Sequence, residues 1–254
     1  MKWTAVMLAG SRPRGDPLAR SMMVDHKALI PLAGEPMLLR PLRALLSSDR
    51  VGEIILLTQD PADLRPVVGD DERIEIRASG DTIASTISEL ITSGSAQYPV
   101  LVTTADHALL DTQMIADFTA KAEGADLAIG VVERAALLAR LPHTRRTWLK
   151  FRGGAYTGAN LFAFGSPKVL GAIERWRSVE QDRKKGWRVL AALGPALLLG
   201  AVLRVRSLDQ SVASIGRKLG ITIRAVRLGN PLAGVDVDKP EDHALVEDIL
   251  AGRA

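Results

Sequence analysis

The chain has 254 residues, with 33 Lys and Arg against 29 Asp and Glu for a formal charge of +4, no cysteine, 47% apolar residues and 4% aromatics. That apolar share over that length supports a substantial core and excludes an intrinsically disordered chain. The lack of cysteine excludes disulfides, Cys-ligated metals and a cysteine nucleophile; the mild positive charge suits a phosphate-rich ligand or anionic lipid as well as nucleic acid, while few aromatics argue against a base-stacking surface.

In chain order, the apolar run closed by Gly10 is too short for a signal peptide or a membrane span and reads as a first strand over 5–9. Further strands are expected over 53–58, 73–77, 99–104, 126–132, 160–164 and 221–226, alternating with segments of helical period. Ile54-Ile55-Leu56-Leu57 and Val100-Leu101-Val102 are apolar on consecutive residues, so both faces of these strands must be covered. The pattern predicts an α/β fold: a three-layer α/β/α sandwich around a mainly parallel sheet, Rossmann-related. Helix starts are expected at Pro36, Pro167 and Pro240, with Ser166 and Asp238 as N-caps for the last two. Residues 177–188 form a charged, irregular stretch, and 189–203 are apolar but interrupted by Gly194, Pro195 and Gly200, short of the ~20 residues a membrane span needs. An interfacial helix on anionic lipid is the rival reading of that stretch, against a pair of core helices. We expect one domain over 1–254, elaborated at about 134–220, and a cytoplasmic location by default.

In an open parallel sheet, ligands bind beyond the carboxyl ends of the strands. Three such ends carry chemistry. After the first strand, Leu8-Ala9-Gly10-Ser11-Arg12-Pro13-Arg14-Gly15 offers glycines that admit phosphate oxygens to backbone N–H groups, and Lys27 follows before Ala28-Leu29-Ile30-Pro31-Leu32-Ala33-Gly34-Glu35-Pro36-Met37. No Gly-Lys-Ser/Thr triplet is present, so this is not a Walker loop. Thr103-Thr104-Ala105-Asp106 delivers a carboxylate that would be costly to bury without a cation. Gly234-Val235-Asp236-Val237-Asp238-Lys239-Pro240 supplies two more acids. One or two carboxylates with substrate phosphates suffice for Mg²⁺, which makes Asp106 and Asp236 the metal pair. Asp238 remains a third candidate ligand, although the spacing Asp238 to Glu241 also fits a capping box.

The order of these segments resembles the MobA-like nucleotidyltransferases, GT-A-like α/β enzymes, over most of the chain from Val6 to about Val246. The resemblance implies Mg²⁺-dependent attack of a phosphorylated small molecule on the α-phosphorus of an NTP, with release of pyrophosphate. It assigns the nucleotide to Leu8, Ala9, Gly10, Ser11 and Arg12, charge neutralisation to Lys27, the metal to Asp106 and Asp236, and the base to the turn bearing Ser79, Gly80 and Thr82. The family loop usually reads Leu-Ala-Ala-Gly-x-Gly-x-Arg. Here Ala9 leads directly to Gly10 and Arg12-Pro13 replace the second glycine region, which shifts phosphate contacts toward Arg12, Arg14 or Arg20. The acceptor side is expected at Thr157, Gly158 and Asn160, with Lys184 and Lys185 offering charge to its phosphate. His107 reads as structural or orienting, since an attacking phosphate needs no base. A GT-A-type glycosyltransferase is the first rival, but Asp106-His107-Ala108 lacks the Asp-x-Asp it would carry. A non-catalytic nucleotide-binding protein is the second.

Overall fold

The computed structural model describes residues 1–10, 15–80, 83–180 and 206–254. Among these, the strands are β1 (Trp3–Leu8), β2 (Pro31–Leu32), β3 (Glu35–Pro36), β4 (Val51–Thr58), β5 (Ile74–Ala78), β6 (Val100–Thr104), β7 (Leu127–Glu133), β8 (Leu149–Phe151), β9 (Gly154–Phe164) and β10 (Ile223–Arg227). The helices are α1 (Pro17–Ser21), α2 (Leu39–Leu46), α3 (Pro61–Val68), α4 (Ile83–Thr92), α5 (Thr112–Ala122), α6 (Arg134–Arg140), α7 (Val169–Glu180), α8 (Leu208–Leu219) and α9 (Pro240–Leu250). The main sheet runs β10-β7-β9-β6-β1-β4-β5, with β8 against β9. Its strands are parallel except around β9, which is antiparallel to both neighbours β6 and β7 and to β8. The fold is therefore the expected mainly parallel sheet between helices, made mixed by the antiparallel β9.

Consecutive apolar residues serve the two faces as expected. Ala5, Met7, Ile54, Leu56 and Leu101 point into one core with α2, α5 and α9, whereas Val6, Ile55, Leu57, Val100 and Val102 pack on the other face against α4 and α7. A strand alternates its side chains, so only a sheet covered on both sides can bury such a run. A smaller cluster of Val131, Tyr156, Leu208 and Ala225 seats α8 at the β10 end.

Three expectations about helix starts are corrected. Pro36 begins no helix: it closes the β2–β3 hairpin, whose two-residue loop, Ala33-Gly34, has positive φ at both positions (+52° and +82°), and α2 starts at Leu39. Asp238 is not the N-cap of α9. Lys239 holds that position, and the Asp242 carboxylate reaches back to accept the main-chain N–H groups of Asp238 (3.2 Å) and Lys239 (3.1 Å). Pro240 does open α9. Ser166 accepts the Lys168 N–H at 3.3 Å and donates to Asp126 at 2.5 Å, but α7 itself begins at Val169.

β9 carries the irregularity that matters most for the site. Its pairing with β7 runs Ile129 to Phe162 but then Val131 to Gly158, so β9 gains two residues within the bulge. Asn160 lies there in the left-handed region (φ +48°). Gly130 makes room opposite: a Cβ there would stand 3.1 Å from Leu161 Cβ and 3.4 Å from Ala159 Cβ.

Candidate active site

Four parallel strands end on one edge. The Ala105 N–H donates to the Leu8 carbonyl (2.9 Å), Ala9 to Leu57 (2.8 Å) and Ser79 to Thr58 (2.6 Å). These bonds continue the ladders one step past β6, β1 and β5 and so bring Asp106, Gly10, Gln59 and Ser79 out along the same rim. A Cβ at Gly10 would lie 2.8 Å from the Gln59 amide nitrogen, so this glycine lets the two loops approach closely. The turn after β5 is held by Thr86, whose hydroxyl accepts the Gly80 N–H at 2.8 Å. Leu8 and Ala9 lead into the rim, and Ser11, Arg12 and Thr82 lie outside the described residues.

Lys27 stands in a single 3₁₀ turn, Lys27–Leu29, and its side chain is mostly buried. The ammonium donates to Asp106 Oδ2 at 2.6 Å and also to Asp238 Oδ1. Thr104 Oγ1 donates to the other Asp106 oxygen at 2.5 Å, and the Val237 N–H donates to the Asp106 carbonyl at 3.1 Å. Three segments remote in sequence thus meet at one charged cluster. Burial pulls the Lys27 pKa down, but attraction and hydrogen bonds from Asp106 and Asp238 outweigh it and raise it above the ordinary lysine value. The lysine stays cationic across the neutral range.

Asp236 completes the cluster. Burial first, and the nearby charges of Asp106 and Asp238 second, raise its pKa above the usual carboxylate value, opposed by Arg146. Arg146 Nη1 donates to Asp236 Oδ1 at 2.5 Å, and Asn160 Nδ2 faces Asp236 Oδ2 at 3.4 Å. Sequence reasoning missed Arg146, which lies in a coil between α6 and β8 with no flanking motif. The only local hint was the Arg145-Arg146 doublet. Three carboxylates with one ammonium and one guanidinium leave a surplus of negative charge and oxygen donors, a donor set that fits a hard divalent cation. Asp106, Asp236 and Asp238 do not form a compact trio, because Lys27 stands between Asp106 and Asp238. Among the described residues, the group whose ligand atoms all lie within 4.8 Å of one another is His26, Asp60 and Asp63, with His26 Nε2 2.8 Å from Asp63 Oδ2.

Of the expected acceptor residues, Asn160 reaches the cluster through the β9 bulge. Thr157 is buried with its methyl group against Gly234, and Gly158 is exposed beside it. Lys184 and Lys185, like the apolar stretch 189–203, fall outside the described residues. His107 is fully buried, which drives its pKa down to about 4 against a smaller upward pull from Asp106, so it is neutral at physiological pH. Among the described residues no helix is long and apolar enough to cross a membrane.

Comparison with known proteins bears on the family and the fold. The sequence model described as the MobA-like NTP transferase domain matches residues 5–197. A hypothetical transferase from Thermus thermophilus superposes with a TM-score of 0.81 at 28% identity, over 96% of this chain and 100% of that one. A CMP:2-keto-3-deoxy-manno-octonic acid synthetase complexed with CTP gives 0.63 at 13% identity, over 100% of both chains. A 4-diphosphocytidyl-2C-methyl-D-erythritol synthase gives 0.61 at 14%, over 98% of this chain and 99% of that one. The last two show a shared fold. No curated protein matches the chain.

Proposed function

Since the chain belongs to the MobA-like NTP transferase family, we propose that it transfers a nucleotidyl group from an NTP to a phosphorylated small molecule. An acceptor phosphate oxygen attacks the α-phosphorus, the bond from that phosphorus to the bridging oxygen breaks, and pyrophosphate leaves with the electron pair. The observation that carries the reading is Lys27 bridging Asp106 and Asp238 beside a buried Asp236, at the carboxyl edge of the parallel strands.

Each residue has a task in that reading. Gly10 would let phosphates approach the β1 loop, with Ser11 and Arg12 sharing that task, while Ser79, Gly80 and Thr82 would read the base. Lys27, held protonated by its two carboxylates, lies where charge accumulates on the triphosphate. Asp106 and Asp236, with Asp238 alongside, would hold Mg²⁺, which when bound draws charge from the α-phosphate and the leaving pyrophosphate. Asn160, Thr157 and Gly158 would border the acceptor, with Lys184 and Lys185 from the elaborated 134–220 region of a single domain. No protein nucleophile is needed, because transfers of this type ask for positioning and charge neutralisation.

The test is pyrophosphate release with Mg²⁺, each of the four NTPs and a panel of sugar and alditol phosphates. CTP is the first to try, since one structural neighbour is a complex with CTP and another a diphosphocytidyl-product synthase. Acceptor-dependent pyrophosphate, absent in Asp106→Ala, is the expected result. Release that needs no acceptor, or turnover of NDP-sugars instead, overturns the proposal.

A further inference from the structure

Arg146 is more deeply buried than an arginine on a loop needs to be, with 6% of its side chain exposed. Its Nη1 donates to Asp236 twice, to Oδ1 at 2.5 Å and to the main-chain carbonyl at 3.2 Å, while Nη2 pairs with Asp242 Oδ1 at 3.0 Å. Asp242 spends its second oxygen on the main-chain N–H groups of Asp238 and Lys239. One guanidinium therefore grips 236–239 at its start directly and at its end through Asp242. The same segment donates the Val237 N–H to the Asp106 carbonyl, so its position is felt on the opposite side of the cluster. Among the described residues, the buried Arg146 Nε has no hydrogen-bond partner, and the buried Nη2 meets Asp242 as an ion pair without hydrogen-bond geometry. Burying an arginine so incompletely satisfied is a costly way to stabilise a fold, and well-packed apolar side chains generally do that better.

We propose that Arg146 is a positioning residue, clamping the 236–239 segment so that Asp236 and Asp238 face Asp106 and Lys27 before any ligand arrives. The inference rests on the reading of Asp106 and Asp236 as holders of a divalent ion. A lysine could reach one carboxylate but cannot fork across Asp236 and Asp242.

The experiment measures Mn²⁺ binding to the full chain from the electron paramagnetic resonance signal of the free ion, for wild type, R146Q, R146K, D242N, R146Q/D242N and D236N. Circular dichroism confirms that each variant is folded. Because Arg146 and Asp242 form one clamp, R146Q and D242N should each weaken binding about tenfold and the double variant no further than the worse single, with R146K between wild type and R146Q. R146Q binding like wild type, or losses that multiply in the double variant, overturns the proposal. Should R146Q not fold, R146K and D242N decide on the same criteria: weakened binding supports the clamp and wild-type binding overturns it. D236N separates the two levels. If it loses Mn²⁺ while R146Q keeps it, the clamp alone is wrong. If it binds like wild type, the ion sits elsewhere, such as at His26, Asp60 and Asp63, and the functional reading falls with the clamp.

Discussion

Lys27 shows how a single side chain can be set by partners distant in sequence. Its folded pKa is raised, so the stabilisation from its ion pairs is present below the ordinary lysine value of 10.5 and is lost as pH rises through the folded value. Lys27→Met leaves Asp106 and Asp238 facing each other without their shared cation. Removing one partner of a fully buried pair costs about 3–5 kcal/mol, and discounting for the half-exposed Asp238 leaves about 2 kcal/mol at pH 7. Urea unfolding should show that deficit shrinking as pH falls through the carboxylate range. His107 has the opposite signature. Its pKa is depressed to about 4, so between 6.5 and 4 the unfolded chain takes up a proton that the folded chain refuses. Stability should fall by about 3 kcal/mol over that interval from this residue, at about 1.4 kcal/mol per pH unit. His107→Gln, unfolded by urea at a series of pH values in the presence of a chelator, should flatten that part of the profile.

At the scale of elements, the β9 bulge separates backbone strain from side-chain chemistry. Asn160 sits at φ +48°, where asparagine is tolerated better than most residues and glycine best. Asn160→Gly and Asn160→Ala both lose the amide facing Asp236, but only alanine adds strain. We expect the glycine variant to be the more stable by about 1 kcal/mol in thermal or urea unfolding. If Asn160 acts through Asp236, activity should drop to a similar extent in both. The seven long strands were legible from apolar runs or, in β5 and β10, from apolar residues interleaved with charged ones, although β9 starts at Gly154 and not at the expected Asn160. β8 was not, since Leu149 and Lys150 are exposed and three residues show no periodicity. The β2–β3 hairpin was missed for a related reason: Pro36 has the chemistry of a helix start, and only the paired positive φ values at Ala33 and Gly34 turn it into a strand end.

For the molecule as a whole, stability and site are built from different residues. Phe118 on α5 is completely buried in the larger core, on a helix that carries none of the charged cluster's residues. Phe118→Ala should cost about 3–5 kcal/mol of stability, as aromatic truncations in a core do. Assayed well below its lowered melting temperature, the variant should keep the wild-type kcat and KM. A parallel loss of kcat would show that the sheet transmits core strain to its carboxyl edge.

The amino-acid order by itself determined the layered α/β architecture, because runs such as Ile54–Leu57 have no stable home except a strand covered on both faces. It also singled out Asp106, because a charged residue just past a buried strand emerges at the ligand edge, whereas Lys27 follows no strand and stood out only through the order of segments that resembles the family. The tertiary structure alone decided that Asp242 rather than Asp238 restrains the start of α9, that Asp238 turns to Lys27, and that Arg146 grips Asp236 from 90 positions away. Periodicity and capping are properties of neighbours along the chain, whereas a buried ion pair depends on which loops the completed sheet brings within a few ångströms, and no local pattern of residues encodes that distance.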